Sequence, residues 1–477
     1  MLYCPFCKSP IEKYWSYCHN CNKPLISNLE KDLIINDEFP STESLFYNTV
    51  AKKENGNHDD YIIEDSDIDD ELGEIEKKLS YSEKSGKDMG SILLNKASLF
   101  YKKRDFHSAI KNLKLALQNF EEVNDLLNIA ICQNELGLIN EEIGYFDQAI
   151  YHFDRTIKIL EQSEDKRKLI QVLNNIGNVY YLLNDLENSY NNYQKALNLA
   201  ENEKLEQEAV KTSSNLVETL FCLKDYDRII RILKNNLDYF SNHKDVYGTI
   251  LTLIKFGKVY YYIGELHYDQ AYQYLNDAIA LIKNIESQIS TVLKARLEWE
   301  CYLYIAKLHI LWDHDIEAEN YFLKSLETIR NYEIQDHINE ALVLDNLAKF
   351  YTIKGEDEKA IDYFTYAMDI YKKYGNEIKV AEIEKEIARI YHEFLQDSTR
   401  AIKFYEEALE IYETEEYFKE SAEIFDKIGE IYKMEQNIPL ALLSFKKALK
   451  YYSEINDEIN KSLISQKIEA ITNKTIN

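Results

Sequence analysis

Four of the seven cysteines stand in two pairs near the N-terminus, Cys4-Pro5-Phe6-Cys7 and Cys18-His19-Asn20-Cys21, with ten residues between the pairs. A Cys-x-x-Cys knuckle offers two thiolates to one ion, and two knuckles complete the tetrahedron that zinc prefers. Cys4, Cys7, Cys18 and Cys21 are the expected ligands of one Zn2+ ion; redox or disulfide use of the same thiols is the competing reading. Four thiolates close the coordination sphere, so the ion would be structural, with no open position for catalysis. Residues 1–27 bury too little apolar surface to fold alone, and metal binding worth roughly 10–16 kcal/mol would supply the missing stability.

Other chemistry is sparse. Asp65-x-Asp67-x-Asp69, with Leu72 and Glu76, has the spacing of a calcium loop, but Asp70 stands where the loop needs glycine. The expectation there is an unstructured acidic tract. His392-Glu393 is not followed by a second histidine one turn later, and no phosphate-binding loop or nucleophile elbow is present. We expect no catalytic residue and no enzyme activity.

The elements that must carry these residues follow from composition. Four of the five prolines lie before residue 41, and only Pro439 lies beyond it. Proline breaks helix interiors, so the body is free to be helical from end to end. A net charge of −27 favours solubility and opposes phosphate backbones. No apolar run approaches the roughly 18 residues of a membrane span, and Cys4 leaves no room for a signal peptide. The expectation is a cytoplasmic protein with reduced thiols. Cys132, Cys222 and Cys301 read as small buried hydrophobes.

From residue 89 the chain repeats. Small residues recur at Ala97, Gly137, Gly177, Val217, Gly257, Ala306, Ala348, Ala388 and Gly429, at intervals of 40 to 49 residues. Most are followed three residues later by an aromatic, such as Phe100, Tyr180, Tyr260, Tyr351, Tyr391 and Tyr432. A second signature lies about twelve residues on, in the form Ala109–Leu113–Ala116, Ala149–Phe153–Thr156, Ser189–Tyr193–Ala196, Ala318–Phe322–Ser325 and Ala441–Phe445–Ala448. Spacings of four and three put each triplet on one helix face. The expected unit is a hairpin of two helices. Gly144, Gly264, Gly355 and Asn184 fall where the first helix must stop, and Asp105, Asp185 and Asp225 are natural N-caps for the second.

This pattern resembles the tetratricopeptide repeat in its long, roughly 40-residue form, the subgroup of kinesin light chains and bacterial Rap-type regulators. HEAT-type repeats share the longer period but lack the Ala–aromatic–Ala signature. The N-terminal segment, closing on Asn22-Lys23-Pro24-Leu25, looks like a zinc ribbon. The resemblance implies an all-α, right-handed solenoid of about nine hairpins plus a capping helix. The expected organisation is a zinc ribbon over 1–27, an acidic flexible linker over 28–88 with a helix from about Leu72, the superhelix over 89–455, and a closing helix and tail over 456–477.

The resemblance also implies protein-binding adaptor work. Nine layers at roughly 10 Å each make a groove on the order of 90 Å, room for about 25 residues of extended peptide at about 3.3 Å per residue. In peptide-binding relatives, asparagines on the first helix contact the ligand backbone, since the amide both donates and accepts. Asn134, Asn174, Asn175, Asn178, Asn215 and Asn346 occupy such places here, with Lys211, Tyr181 and Phe221 beside them. The competing reading is a set of exposed polar residues in an asparagine-rich chain. The alternative function is a nucleic-acid-associated, transcription-type regulator working through the ribbon. However, Lys8, Lys13 and Lys23 against Glu12 leave that segment at only +2, enough for weak, salt-sensitive phosphate contact. No small-molecule substrate is evident.

Overall fold

The computed structural model describes residues 2–3, 10–11, 65–80, 86–331 and 337–476. Cys4, Cys7, Cys18 and Cys21 lie outside the described residues. Strands β1 (Leu2–Tyr3) and β2 (Pro10–Ile11) pair antiparallel, Leu2 opposite Ile11 and Tyr3 opposite Pro10. The other described residues form helices and the short turns between them, and the chain divides into two compact units, Met1–Leu266 and His267–Asn477.

The first unit holds α1 (Asp65–Ser80), α2 (Lys87–Lys102), α3 (Phe106–Glu122), α4 (Leu126–Glu142), α5 (Phe146–Leu160), α6 (Lys166–Leu182), α7 (Leu186–Asn202), α8 (Glu206–Cys222), α9 (Tyr226–Asn242) and α10 (Val246–Ile263). The second holds α11 (Tyr268–Ile285), α12 (Thr291–Leu311), α13 (Asp315–Asn331), α14 (His337–Lys354) and α15 (Asp357–Lys373). It continues with α16 (Glu377–Glu393), α17 (Ser398–Thr414), α18 (Phe418–Met434), α19 (Ile438–Glu454) and α20 (Glu458–Ile476). A single 3-10 turn, Glu265–His267, separates α10 from α11. The fifth repeat carries an insertion at this point, and the boundary between the units falls inside it.

The repeat signatures meet across each hairpin. A Cβ on Gly137 would stand 2.5 Å from the Phe153 ring, one on Gly177 2.8 Å from Tyr193, and one on Gly429 2.7 Å from Phe445. The bulky residue of the second helix therefore rests on the small residue of the first. Phe153, Tyr193 and Phe445 are 0% exposed, so each ring contributes about the full transfer free energy of a large core side chain. The fourth repeat keeps the arrangement with other residues. Val217 and Ile229 are buried, and Asn236 takes the third position, where its amide meets Ser213 and Ser214.

The turns explain the remaining regularity. Gly144 and Gly355 have φ of 79° and 71°, and Asn184 has 57°. Gly264 differs: at φ 117° and ψ −169° it leaves the left-handed helical region for one open to glycine alone. Arg104, Asn124, Lys204, Lys224 and Lys244 occupy the same turn place with φ of 53° to 57°. Asp105, Asp185 and Asp225 accept from the backbone N–H of Ser108, Asn188 and Arg228. Asp125, Asp165 and Asp245 do the same for first helices. The turn thus recurs at most half-repeats of the first unit, Glu164 being an exception, and each aspartate cap satisfies an otherwise orphaned donor.

Helix α1 begins seven residues before Leu72 and takes in the whole 65–71 acidic tract. Acids in the first turn sit favourably at the positive end of the helix dipole. Ile68 and Leu72 are buried beside Leu99, and Lys96 pairs with Glu76 at 2.9 Å. At the other end, Ile464 and Ile471 of α20 join the core of the second unit, while Lys467 pairs with Asp426 and Glu430. A repeat stack exposes an apolar face at its end, and α20 covers it.

Candidate functional site

First helices of successive repeats lie side by side in the first unit, α4 against α6 and α6 against α8. Each also packs on its own second helix, so few faces remain for water. Residues 129–140 of α4 and 169–179 of α6 are all buried. The asparagines expected in an open groove are set within this layer. Asn134 and Asn175 are 0% exposed, and Asn178 is 1% exposed.

They form a polar row crossing the helices. The Asn175 amide donates to Asn134 Oδ1 at 3.2 Å, and Asn134 Nδ2 donates to Glu135 at 3.1 Å. Asn174 Nδ2 donates to Thr212 Oγ1 at 2.8 Å, joining α6 to α8. Lys255 of α10 reaches back to Glu218 and to the Ser214 carbonyl. The Tyr193 hydroxyl donates to Asn178 Oδ1. Among the described residues, two buried amide atoms have no partner: Gln133 Nε2, a donor, and Asn174 Oδ1, an acceptor.

The other expected residues divide. Asn215 is buried on α8, and Lys211, one turn earlier, is exposed. Tyr181 is half-buried and within hydrogen-bond reach of the Cys222 thiol. Phe221 is half-buried, with edge contacts to Tyr226 and Tyr262 at 6.4 and 6.3 Å. Asn346 lies in the second unit on α14, half-buried, and donates to the Leu342 carbonyl at 2.7 Å. Cys132 and Cys301 are buried, whereas Cys222 is exposed at the end of α8. The expectation for Cys222 is corrected: the last residue of a first helix projects past the packed layer.

Glu141 was not singled out by sequence, although it shares the register of Tyr181 and Phe221, four residues past the small position. Its Oε2 is out of reach of water and has no partner. Burial pushes its carboxyl well above the ordinary carboxylate range, and neighbouring Glu142 adds to the effect. Burial likewise raises the Tyr193 phenol, with Glu141, Tyr181 and Glu218 contributing. Asn178, Tyr193, Glu141, Tyr181 and Glu218 therefore share one locality of amide, phenol and carboxyl groups. Among the described residues no group of three or more His, Cys, Asp or Glu is arranged to hold a metal ion. No described helix is long and apolar enough to cross a membrane.

A testable consequence concerns pH. The folded chain keeps the Glu141 proton at pH values where the unfolded chain has lost it, so this group's contribution to stability falls as pH rises past 4.5. Glu141→Gln is expected to stabilise the chain by about 1 kcal/mol at pH 7.5, with the gain shrinking toward pH 4. Thermal unfolding of both proteins at the two pH values checks this; an equal Tm difference at both would remove the buried-acid account.

Residues 88–162 and 170–203 match family models described as tetratricopeptide repeat. The chain carries tetratricopeptide repeats. Within the second unit, residues 299–419 match the model of the soluble NSF attachment protein, SNAP. No curated protein sequence matches the chain. Among solved structures, the apo quorum sensor NprR from B. thuringiensis is 15% identical, over 72% of this chain and 93% of that one, with a TM-score of 0.49. A Rap protein complexed with Competence and Sporulation Factor is 13% identical, over 86% and 93%, with a TM-score of 0.40. BtubC (BKLC) from P. vanneervenii is 17% identical, over 44% and 92%, with a TM-score of 0.34. Both tetratricopeptide matches lie in the first unit; they take in α4 and most of α6, and end before α8 and α10.

Proposed function

We propose that the chain is a non-enzymatic, cytoplasmic adaptor whose first unit binds an extended segment of a partner protein along the first helices of repeats two to four. The polar row supports this reading. Gln133 Nε2 and Asn174 Oδ1 are buried without partners, which costs about 1–3 kcal/mol each. Both atoms lie below the accessible surface, so direct contact with a partner falls to the accessible groups next to them. Tyr181, Lys211 and Phe221 would provide the accessible contacts beside them.

The N-terminal segment would be a second docking module held by structural zinc. The donor set fits: four cysteines in two knuckles. Zinc there would bind the four thiolates and supply folding energy only. Residues 28–64 would tether this module to the array and raise the effective concentration of a partner that engages both.

Tyr181→Ala and Lys211→Glu are expected to weaken partner capture at least tenfold with helix content unchanged, measured by affinity capture and circular dichroism. Asn174→Ala and Asn178→Ala are less clean. They also strip partners from Thr212 and Tyr193, at about 1 kcal/mol or more each. Undiminished capture by the Tyr181 and Lys211 variants would remove the assignment to this row.

A further inference from the structure

The second unit carries a cleft of its own, between α17 and α19. The glutamates Glu406, Glu410 and Glu413 of α17 stand at spacings of four and three, on one helix face. Across from them, Leu440 and Leu443 of α19 are 37% and 53% exposed. Between the two helices Phe425, Ile428 and Tyr432 of α18 form the floor of a cleft of about 380 Å3. That volume is at the lower end for ligand sites and suits one or two side chains, not a cofactor.

Its charge is one-sided. Among the described ion pairs, none engages Glu406, Glu410 or Glu413; Glu413 accepts only from the Tyr451 hydroxyl. Lys447, the lining cation, lies over the Phe425 ring at 4.6 Å. Like charges one turn apart cost a few tenths of a kcal/mol per pair in an isolated helix. A row of them beside uncovered leucines favours a ligand with positive charge and apolar bulk together. We propose that this cleft docks a cationic amphipathic helix of a partner protein. Its lysines or arginines would face Glu406, Glu410 and Glu413, and a leucine-sized side chain would enter between Leu440 and Leu443 over Phe425. Helix-in-groove docking of this kind takes affinity from the apolar anchor and encounter rate from the charges. The inference stands on the second unit alone and does not depend on the polar row.

The test uses the full chain and a fluorescein-labelled synthetic leucine–lysine amphipathic helix, read by fluorescence anisotropy. Two control peptides replace its leucines by serine or its lysines by glutamate. Glu406→Gln with Glu410→Gln, and separately Leu443→Ser, are expected to weaken binding at least tenfold. Glu201→Gln with Glu203→Gln, which removes the same charge from the first unit, is expected to change it less than twofold. Equal loss in that control, or equal binding of the serine peptide, would show attraction to net charge alone and overturn the proposal. So would a shift in sedimentation of Glu406→Gln with Glu410→Gln, which would place a second copy of the chain in the cleft.

Discussion

Phe153→Ala is expected to destabilise the first unit by about 3–5 kcal/mol, the loss for removing a fully buried aromatic ring. The ring is 0% exposed and rests on Gly137, where an added Cβ would stand 2.5 Å away. Gly137→Ala, the opposite change, overfills the same contact and is expected to cost about 1–3 kcal/mol. The two positions share one space, so their effects should not add. Phe153→Leu in the Gly137→Ala background should recover part of the loss. In a repeat stack each hairpin leans mainly on its neighbours, so the damage should stay local. Hydrogen exchange should rise over residues 126–160 well before it rises in the second unit. Unchanged protection in Phe153→Ala would mean that the glycine–aromatic contact does not hold the hairpin together.

The metal prediction has a larger effect still. Purified chain is expected to carry one zinc, and Cys4→Ser with Cys7→Ser to carry none. Structural zinc sites in small fingers are worth on the order of 10–16 kcal/mol, so their loss unfolds the module rather than loosening it. The Cys4→Ser, Cys7→Ser chain should keep its helical content, because the described helices begin only at Asp65. Elemental analysis and proteolysis of the N-terminal segment read both effects. Wild-type chain that is metal-free, with a protease-resistant N-terminus, would overturn the zinc reading.

The helical repeats were legible because two kinds of constraint write themselves into residue type. A ring pressed on a helix demands glycine or alanine opposite, which is why Gly137, Gly177 and Gly429 mark the repeat. An N-cap demands a short acceptor, which is why Asp105, Asp185 and Asp225 marked the turns. The left-handed turn residue is less demanding. A long polar side chain tolerates it at modest cost, so Lys204, Lys224 and Lys244 gave no signal although they repeat the glycine turn.

Burial of the asparagines was not legible, because the same residue serves an open groove or an internal ladder. Only the neighbouring helix decides, and Asn134 meets Asn175 from 41 positions away. Glu141 was hidden for the same reason: a glutamate near a helix end reads as solvated, and Tyr193 comes to it from the next repeat. The start of α1 was missed because a run of acids reads as disorder, while Ile68 and Leu72, one turn apart within it, are what dock it on Leu99.

In the proposed function, the chain holds a protein segment along the first helices of its first unit. Affinity capture from host lysate, split into nuclease-treated and untreated halves, tests it most directly when wild-type chain is run beside Tyr181→Ala and Lys211→Glu. Specific proteins are expected to persist after nuclease and to fall at least tenfold with either substitution. Retention that vanishes with nuclease, or that ignores both substitutions and needs only residues 1–27, would contradict it.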